Sequence, residues 1–347
     1  MRNSSVSWND RRQSSFWQTP IVHPLGIGII GVGGMGSFHA RTLAALADVR
    51  VVAVSDPYRP NADAIQVELG ADIVDDPLDI IRSGAVDGLV IASPDDTHAA
   101  LAVAAVEQGI PTLCEKPLAA SVADARAVID AELAVGRRLI QVGFMREYDP
   151  AHRQLQAELA DLGPIDHVRA VHRNANTTRR TLEQIVVQSM VHEVHSVRFL
   201  TGAEITSVHA SGSGAEGGSF RHVLAVCRLS NGAHTVVEFD DGGFAYEVAV
   251  EVLTRTGDAL TSPPARAIRR QHGSVSTHLG TDWFGWFADA YRIQDQAWVR
   301  SIRDGAATGP SAWDGYRSQV VVEAIRRSLD EQVTVSIDAD APPALYR

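Results

Sequence analysis

From residue 25 to about residue 143, short apolar runs alternate with longer stretches in which apolar residues recur at helical spacing. The runs at 25–30, 49–55, 88–92, 112–115 and 139–142 are largely apolar, which predicts strands buried on both faces. Ala-rich segments such as 97–108 and 121–133 fall between them and predict helices, so this half reads as a parallel sheet covered on both sides. Beyond Asp149 the period changes. Segments 221–229, 233–240 and 245–254 alternate apolar and polar positions, the pattern of antiparallel strands with one covered face. Helices are expected there at 189–200 and 313–329, and 212–218 reads as a flexible glycine-rich loop. The fold class is therefore α/β: a parallel-sheet domain at 25–145, then at 146–347 an α+β domain with a large open-faced, mainly antiparallel sheet. An open sheet face is a common place for subunits to pair, so a homo-oligomer, tetramer or dimer, is expected. Residues 1–24 are expected to be a flexible N-terminal tail, in which Trp8 and Trp17 could dock on a neighbour.

A length of 347 residues suits two such domains. With 31 Lys plus Arg against 42 Asp plus Glu the net charge is −11, and no basic run offsets it, which argues against nucleic-acid binding. No apolar stretch approaches the roughly 18 residues of a membrane span. Cys114 and Cys227 suggest neither a disulfide framework nor a metal cluster and fit a reducing, cytoplasmic setting. The Arg11-Arg12 pair could head an export signal, but the only apolar stretch after it, 25–36, is the first strand and the turn that follows.

That turn carries the first chemistry. Gly31-Val32-Gly33-Gly34-Met35-Gly36 fits G-x-G-x-x-G between a strand and a helix, the Rossmann arrangement in which glycines let the backbone approach a pyrophosphate at a helix N-terminus. Asp56, at the end of the second strand, stands where such folds place the carboxylate that holds the adenosine ribose. A carboxylate there repels a 2′-phosphate and favours NAD over NADP, while Arg59 is the competing signal.

Further along, Ile91-Ala92-Ser93-Pro94 with Thr97-His98, and Cys114-Glu115-Lys116-Pro117-Leu118, resemble strand ends of the glucose-fructose oxidoreductase, inositol dehydrogenase and rhizopine-catabolism (Gfo/Idh/MocA) family. The resemblance runs from about residue 25 to 335, through Gly143-Phe144-Met145-Arg146, His172-Arg173-Asn174, Val191-His192-Glu193 and Tyr246-Glu247-Val248, and is nearest the inositol 2-dehydrogenase branch. It implies oxidation of a secondary hydroxyl of a cyclitol or sugar by hydride transfer to NAD. Lys116 would contact the reacting hydroxyl and His192 would be the second acid-base group, with Gln188 beside it. Ser93, Pro94, His98, Glu115 and Arg146 would border the cofactor. Arg146, His172, Asn174, Gln188, His192 and His195 would face the substrate. Tyr246 heads an apolar face with Val248, Val250 and Val252, so it is a core residue or a substrate contact. Trp283 and Tyr291 match positions near the nicotinamide, although a helix seam would also explain them.

Two positions depart from the family pattern. Aspartates commonly stand where this chain has Gln188 and His195, so the polyol-facing wall is expected to be rearranged. In a helix over 189–200, Gln188, His192, His195 and Phe199 would share one stripe. That loss motivates an alternative substrate, an amino-sugar or aminoglycoside hydroxyl, and a rival of another class, a non-catalytic NAD-binding regulatory protein. A cofactor held tightly and recycled between two substrates also stays open. His192-Glu193-Val194-His195 is one residue short of H-E-x-x-H, and no metal is expected.

Overall fold

The computed structural model describes residues 23–175, 180–215, 219–242, 245–261, 268–271, 274–277 and 283–347; Trp8 and Trp17 lie outside them. Strands β1 (Leu25–Ile30), β2 (Val49–Ser55), β3 (Asp72–Ile73), β4 (Gly88–Ile91), β5 (Thr112–Cys114) and β6 (Ile140–Val142) form a parallel sheet in the order β3-β2-β1-β4-β5-β6. The strand order reverses between β1 and β4, and the crevice at such a switch point is where these sheets hold ligands. Helices α1 (Gly34–Ala44) and α2 (Arg59–Leu69) pack on one face, and α3 (Pro77–Arg82), α4 (His98–Glu107) and α5 (Val122–Val135) on the other. Local sequence sets their ends: Asp76 and Ser121 accept from the backbone N–H groups of Leu78 and Asp124, and Gly136 closes α5 in the left-handed conformation.

The second half runs α6 (Pro150–Leu162), β7 (Ile165–Asn174), α7 (Leu182–Ile185), α8 (Val191–Thr201), β8 (Ile205–Ala215), β9 (Ser219–Leu229), β10 (His234–Asp241), β11 (Glu247–Thr254) and β12 (Asp258–Leu260). A ribbon of β13 (Ile268–Gln271) and β14 (Ser274–Thr277), helices α9 (Trp283–Asp304) and α10 (Ala312–Glu331), and β15 (Val335–Ser336) follow. The large sheet has the order β12-β11-β7-β10-β9-β8-β15, antiparallel at every neighbour except β7 with β10. Helices α8 and α10 cover its inner face, while Val226 and Leu253 are exposed on the chain's surface beside charged strand residues.

Three expectations need correction. The helix predicted over 189–200 starts at Leu182, capped by Thr181 and Gln184, and passes through a π-turn at Val186–Met190 before α8. The loop predicted at 212–218 is strand β8 as far as Ala215, and 216–218 lie outside the described residues. The strands predicted to end at Ala92 and Glu115 stop one residue earlier, which leaves Ala92 and Glu115 to the crevice. Helix α9 returns to the first sheet: its Trp298 and Val299 are buried with Ile27, Val49 and Val51.

Candidate active site

The turn after β1 is shaped by two of its glycines. Gly31 has φ +80°, and a Cβ there would lie 2.5 Å from the Ser93 nitrogen; at Gly36 it would lie 1.8 Å from the Gly31 oxygen. These two serve the close packing of loop, strand and helix. At Gly33 and Gly34 a Cβ would meet no protein atom closer than 4.0 Å, so their bareness faces outward, toward whatever the α1 N-terminus holds. No acidic residue occupies the first turn of α1. Asp56 takes hydrogen bonds from the backbone N–H groups of Val32 (2.9 Å) and Tyr58 (2.8 Å) and stands at the end of β2. Arg59 is paired with Asp63 at 2.8 Å and with Asp75 at 3.6 Å. A dinucleotide pyrophosphate and an adenosine ribose fit this cradle; Arg59 is already matched by acids, so it offers little to a 2′-phosphate.

Beside the cradle a cavity of about 330 Å³ opens between the two sheets, within the usual range for small-molecule sites. Its floor is the turn after β5. Lys116 precedes Pro117 through a cis peptide bond, and its Nζ donates to the Gln188 carbonyl at 3.0 Å. Burial pushes the Lys116 ammonium below its ordinary value; Glu115 and Asp95 oppose this and Arg146 and Arg180 reinforce it. His98 holds the turn against β4: its ring nitrogens meet the carbonyl oxygens of Pro117 (2.7 Å) and Ser93 (2.8 Å). Donation to both needs the imidazolium, and although burial opposes that charge, Cys114 and the two carbonyls raise the pKa to about 10. Glu115 accepts from Lys116 N and meets His39 Nε2 at 3.1 Å, while His39 Nδ1 meets Asp295 of α9 at 3.0 Å.

The opposite wall is the α7–α8 helix. His192 lines the cavity, buried, with Nδ1 unpaired among the described residues. Burial holds its imidazole well below the usual histidine value, and Arg146, Lys116, His172 and His195 push the same way, so it is neutral. Gln188 sits in the π-turn and its side chain donates to Asp95 at 2.9 Å. His195 does not share this wall. It is stacked on Phe144 at 4.0 Å, and its Nε2 meets Glu147 at 2.9 Å. The π-turn that holds Gln188 precedes α8, while His192 and His195 keep regular helical spacing and both meet the Phe144 ring, at 6.3 and 4.0 Å; only His192 of the two reaches the lining. Arg146 also stands behind the wall, bonded to Glu193, which meets His172 Nδ1 at 3.1 Å. Burial opposes the charge of Glu193, but Arg146 and His172 hold its carboxyl down at about 2.

The sheet and α9 complete the enclosure. His172 bonds Asn174 at 3.2 Å, and both line the cavity with Tyr246, whose ring meets His172 edge-on at 5.5 Å. Trp283 and Tyr291 line it from α9, Met35 and Ser93 from the cradle side. Of the predicted residues outside the glycine turn and the Asp56–Arg59 cradle, Pro94, Arg146 and His195 are not on the lining. Three lining residues carry polar groups that the sequence reading passed over: Asp95, Arg180 and Ser189. Asp95 sits inside the Ser93–His98 segment and could have been taken with it. Arg180 and Ser189 follow no periodic signal and are joined only in space, with Arg180 Nη1 donating to Ser189 Oγ at 3.0 Å. Among the described residues no group of three or more His, Cys, Asp or Glu is arranged to hold a metal, and no helix is long and apolar enough to cross a membrane.

Comparison with known proteins matches both halves. Residues 25–144 fit the model of the Gfo/Idh/MocA oxidoreductase family, NAD-binding Rossmann fold, and residues 179–337 fit the same family's C-terminal alpha/beta domain. An inositol 2-dehydrogenase of Saccharopolyspora erythraea is 39% identical, the match spanning 92% of this chain and 98% of that one. One from Rubrobacter xylanophilus is 37% identical over 93% and 96%. The crystal structure of a myo-inositol dehydrogenase from Lactobacillus casei, in complex with NAD(H) and myo-inositol, superposes with a TM-score of 0.90 at 28% identity, covering 93% and 100%. Likeness of this degree over nearly the full length of both partners makes the chain a member of the Gfo/Idh/MocA oxidoreductase family, with that family's NAD-binding Rossmann fold as its first half.

Proposed function

We propose that the protein is an inositol 2-dehydrogenase-like enzyme that oxidises a secondary hydroxyl of a cyclitol or sugar to a ketone. The observation that carries this reading is the pairing, in one cavity beside the dinucleotide cradle, of two nitrogen bases held toward their neutral forms, Lys116 and His192. When bound along Gly33, Gly34 and Asp56, NAD supplies the hydride acceptor. The chain's own residues supply the rest. Lys116, freed of its extra proton, accepts the hydroxyl proton at Nζ, and the Gln188 carbonyl keeps that nitrogen aimed into the cavity. His192 presents an unpaired ring nitrogen to the same space, and can orient the hydroxyl or relay its proton outward. His172 and Asn174, fixed by Glu193 and by each other, offer polar contacts to the remaining hydroxyls of the ring.

Formation of NADH from NAD with a panel of cyclitols and hexoses tests the reading. The Lys116→Met variant should keep NAD binding and lose about 10²- to 10⁴-fold in turnover, the range of a positioned acid-base group. Undiminished turnover in that variant would remove Lys116 from the mechanism. The same reading pairs copies of the chain through the outer face of the large sheet, where Val226 is exposed, and the mass in solution decides it. Cys114 and Cys227, both buried free thiols, suit a reducing cytoplasm.

A further inference from the structure

The charges on the cavity lining are unevenly satisfied. Its two acids are already engaged: Asp95 accepts from the Gln188 amide at 2.9 Å, and Glu115 is bonded by His39 Nε2 at 3.1 Å and by the Lys116 backbone N–H at 3.2 Å. Its basic groups are matched less closely. Lys116 Nζ meets a neutral carbonyl. Arg180 gives Nη1 to the neutral hydroxyl of Ser189 at 3.0 Å, and its ion pair with Asp241 is a loose one, 3.7 Å from Nε and longer than a hydrogen bond. Burial raises the Asp241 carboxyl above its ordinary value, and Arg180 opposes that rise.

Both basic side chains are held by consecutive residues of one π-turn, Lys116 on the Gln188 carbonyl and Arg180 on the Ser189 hydroxyl. A ring substituent next to the reacting hydroxyl would therefore come within reach of the guanidinium. We propose that Arg180 reads an anionic substituent, so that the polyol this enzyme takes carries a carboxylate or a phosphate. A planar guanidinium suits either oxyanion, and a charge-assisted bond made there is closer than the 3.7 Å contact with Asp241 that it competes with. An amino-sugar would instead bring an ammonium toward the Arg180 guanidinium, which sets this inference against the amino-sugar alternative.

The proposal rests on the dehydrogenase reading, and binding and turnover measured separately keep the two apart. Calorimetric titration of the NAD-saturated protein uses a hexuronate, an inositol monophosphate, their neutral parents and an amino-sugar. One or both anionic ligands should bind about 10- to 100-fold more tightly than their parents, the size of a charge-assisted hydrogen bond. The tighter of the two identifies the source of the oxyanion. Arg180→Met should lose that advantage and Arg180→Lys should keep part of it, with NAD binding as the control for folding. Equal affinity for charged and neutral ligands, tightest binding of the amino-sugar, or an advantage that survives in Arg180→Met would overturn the proposal. NADH formation from a neutral cyclitol together with equal binding would sink the Arg180 proposal alone. Charge-selective binding with no NADH formed from any ligand would sink the dehydrogenase reading alone.

Discussion

Lys116 and His192 are both pushed toward their neutral forms, by different routes. His192 has four cationic or ionisable neighbours adding to its burial, whereas Lys116 is buried between acids and cations that partly cancel. Only the lysine therefore has a charge state open to adjustment by pH. Oxidation needs it unprotonated and ketone reduction needs it protonated. The kcat/KM for oxidation should rise with pH through an inflection below the 10.5 of an ordinary lysine, and that for reduction should fall through the same inflection. Arg180→Met removes one of the cations that lower the value, so the inflection should move upward. A rising profile in both directions, or an inflection at or above 10.5, would assign the titration to another group. Lys116 was legible in the sequence because it sits between Glu115 and Pro117 at a strand end. Arg180 was not: its meaning lies in its distances to Ser189 and Asp241, which no spacing along the chain encodes.

The glycine turn separates two demands that a motif runs together. At Gly31 an added methyl meets the Ser93 backbone and the residue must hold φ +80°, so Gly31→Ala should cost about 1–3 kcal/mol in backbone strain, with steric overlap adding to it, and lower the unfolding midpoint. At Gly33 the methyl meets nothing within 3.9 Å of protein, the nearest atom being Asn61 Nδ2 at 4.0 Å. Gly33→Ala should unfold like the parent yet bind NAD about tenfold more weakly or worse, the cost of forfeiting one charge-assisted hydrogen bond. Thermal unfolding and NAD titration of both variants check this; equal NAD affinity in Gly33→Ala would mean that the phosphates lie elsewhere. The same element shows why the first sheet was readable. Its strands are buried on both faces and its chemistry stands within a residue or two of their ends, so period and motif coincide. Strand β3 has only two residues and no period to detect. The α7–α8 helix was placed seven residues late because a π-turn leaves no mark in hydrophobic spacing, although Thr181 and Gln184 do form a capping box. Helix α9 entered the sequence reading only through Trp283 and Tyr291, as nicotinamide neighbours or a helix seam; its full span is not legible because Gln294 and Asp295 interrupt its apolar face, and both are buried.

Those buried polar residues of α9 bear on how the whole molecule is held together. Trp298 and Val299 pack on the Rossmann sheet, and Asp295 reaches His39 on α1, which also holds Glu115 beside Lys116. The second half thus contributes to the core of the first, and one buried imidazole joins the cradle, the Lys116 turn and α9. Burial opposes the charge on that imidazole, but Asp295 and Glu115 outweigh it and raise the pKa of His39 from 6.5 to about 10. A histidine whose folded pKa exceeds its unfolded one contributes stability that is complete below the unfolded value and is lost as pH climbs through the folded one. The unfolding midpoint should therefore decline between about 6.5 and about 10, where the folded protein binds the extra proton. His98, also raised to about 10, contributes in the same window, so His39→Gln should show a shallower decline and not a flat line. The variant should also start lower at neutral pH, because Asp295 and Glu115 are left buried without their cation. Thermal melts of both proteins across that range, followed by the fluorescence of buried Trp298, read the slope and the inter-domain packing together. Equal slopes would mean that His39 is neutral in the folded state and that its two carboxylates are held apart by some other group.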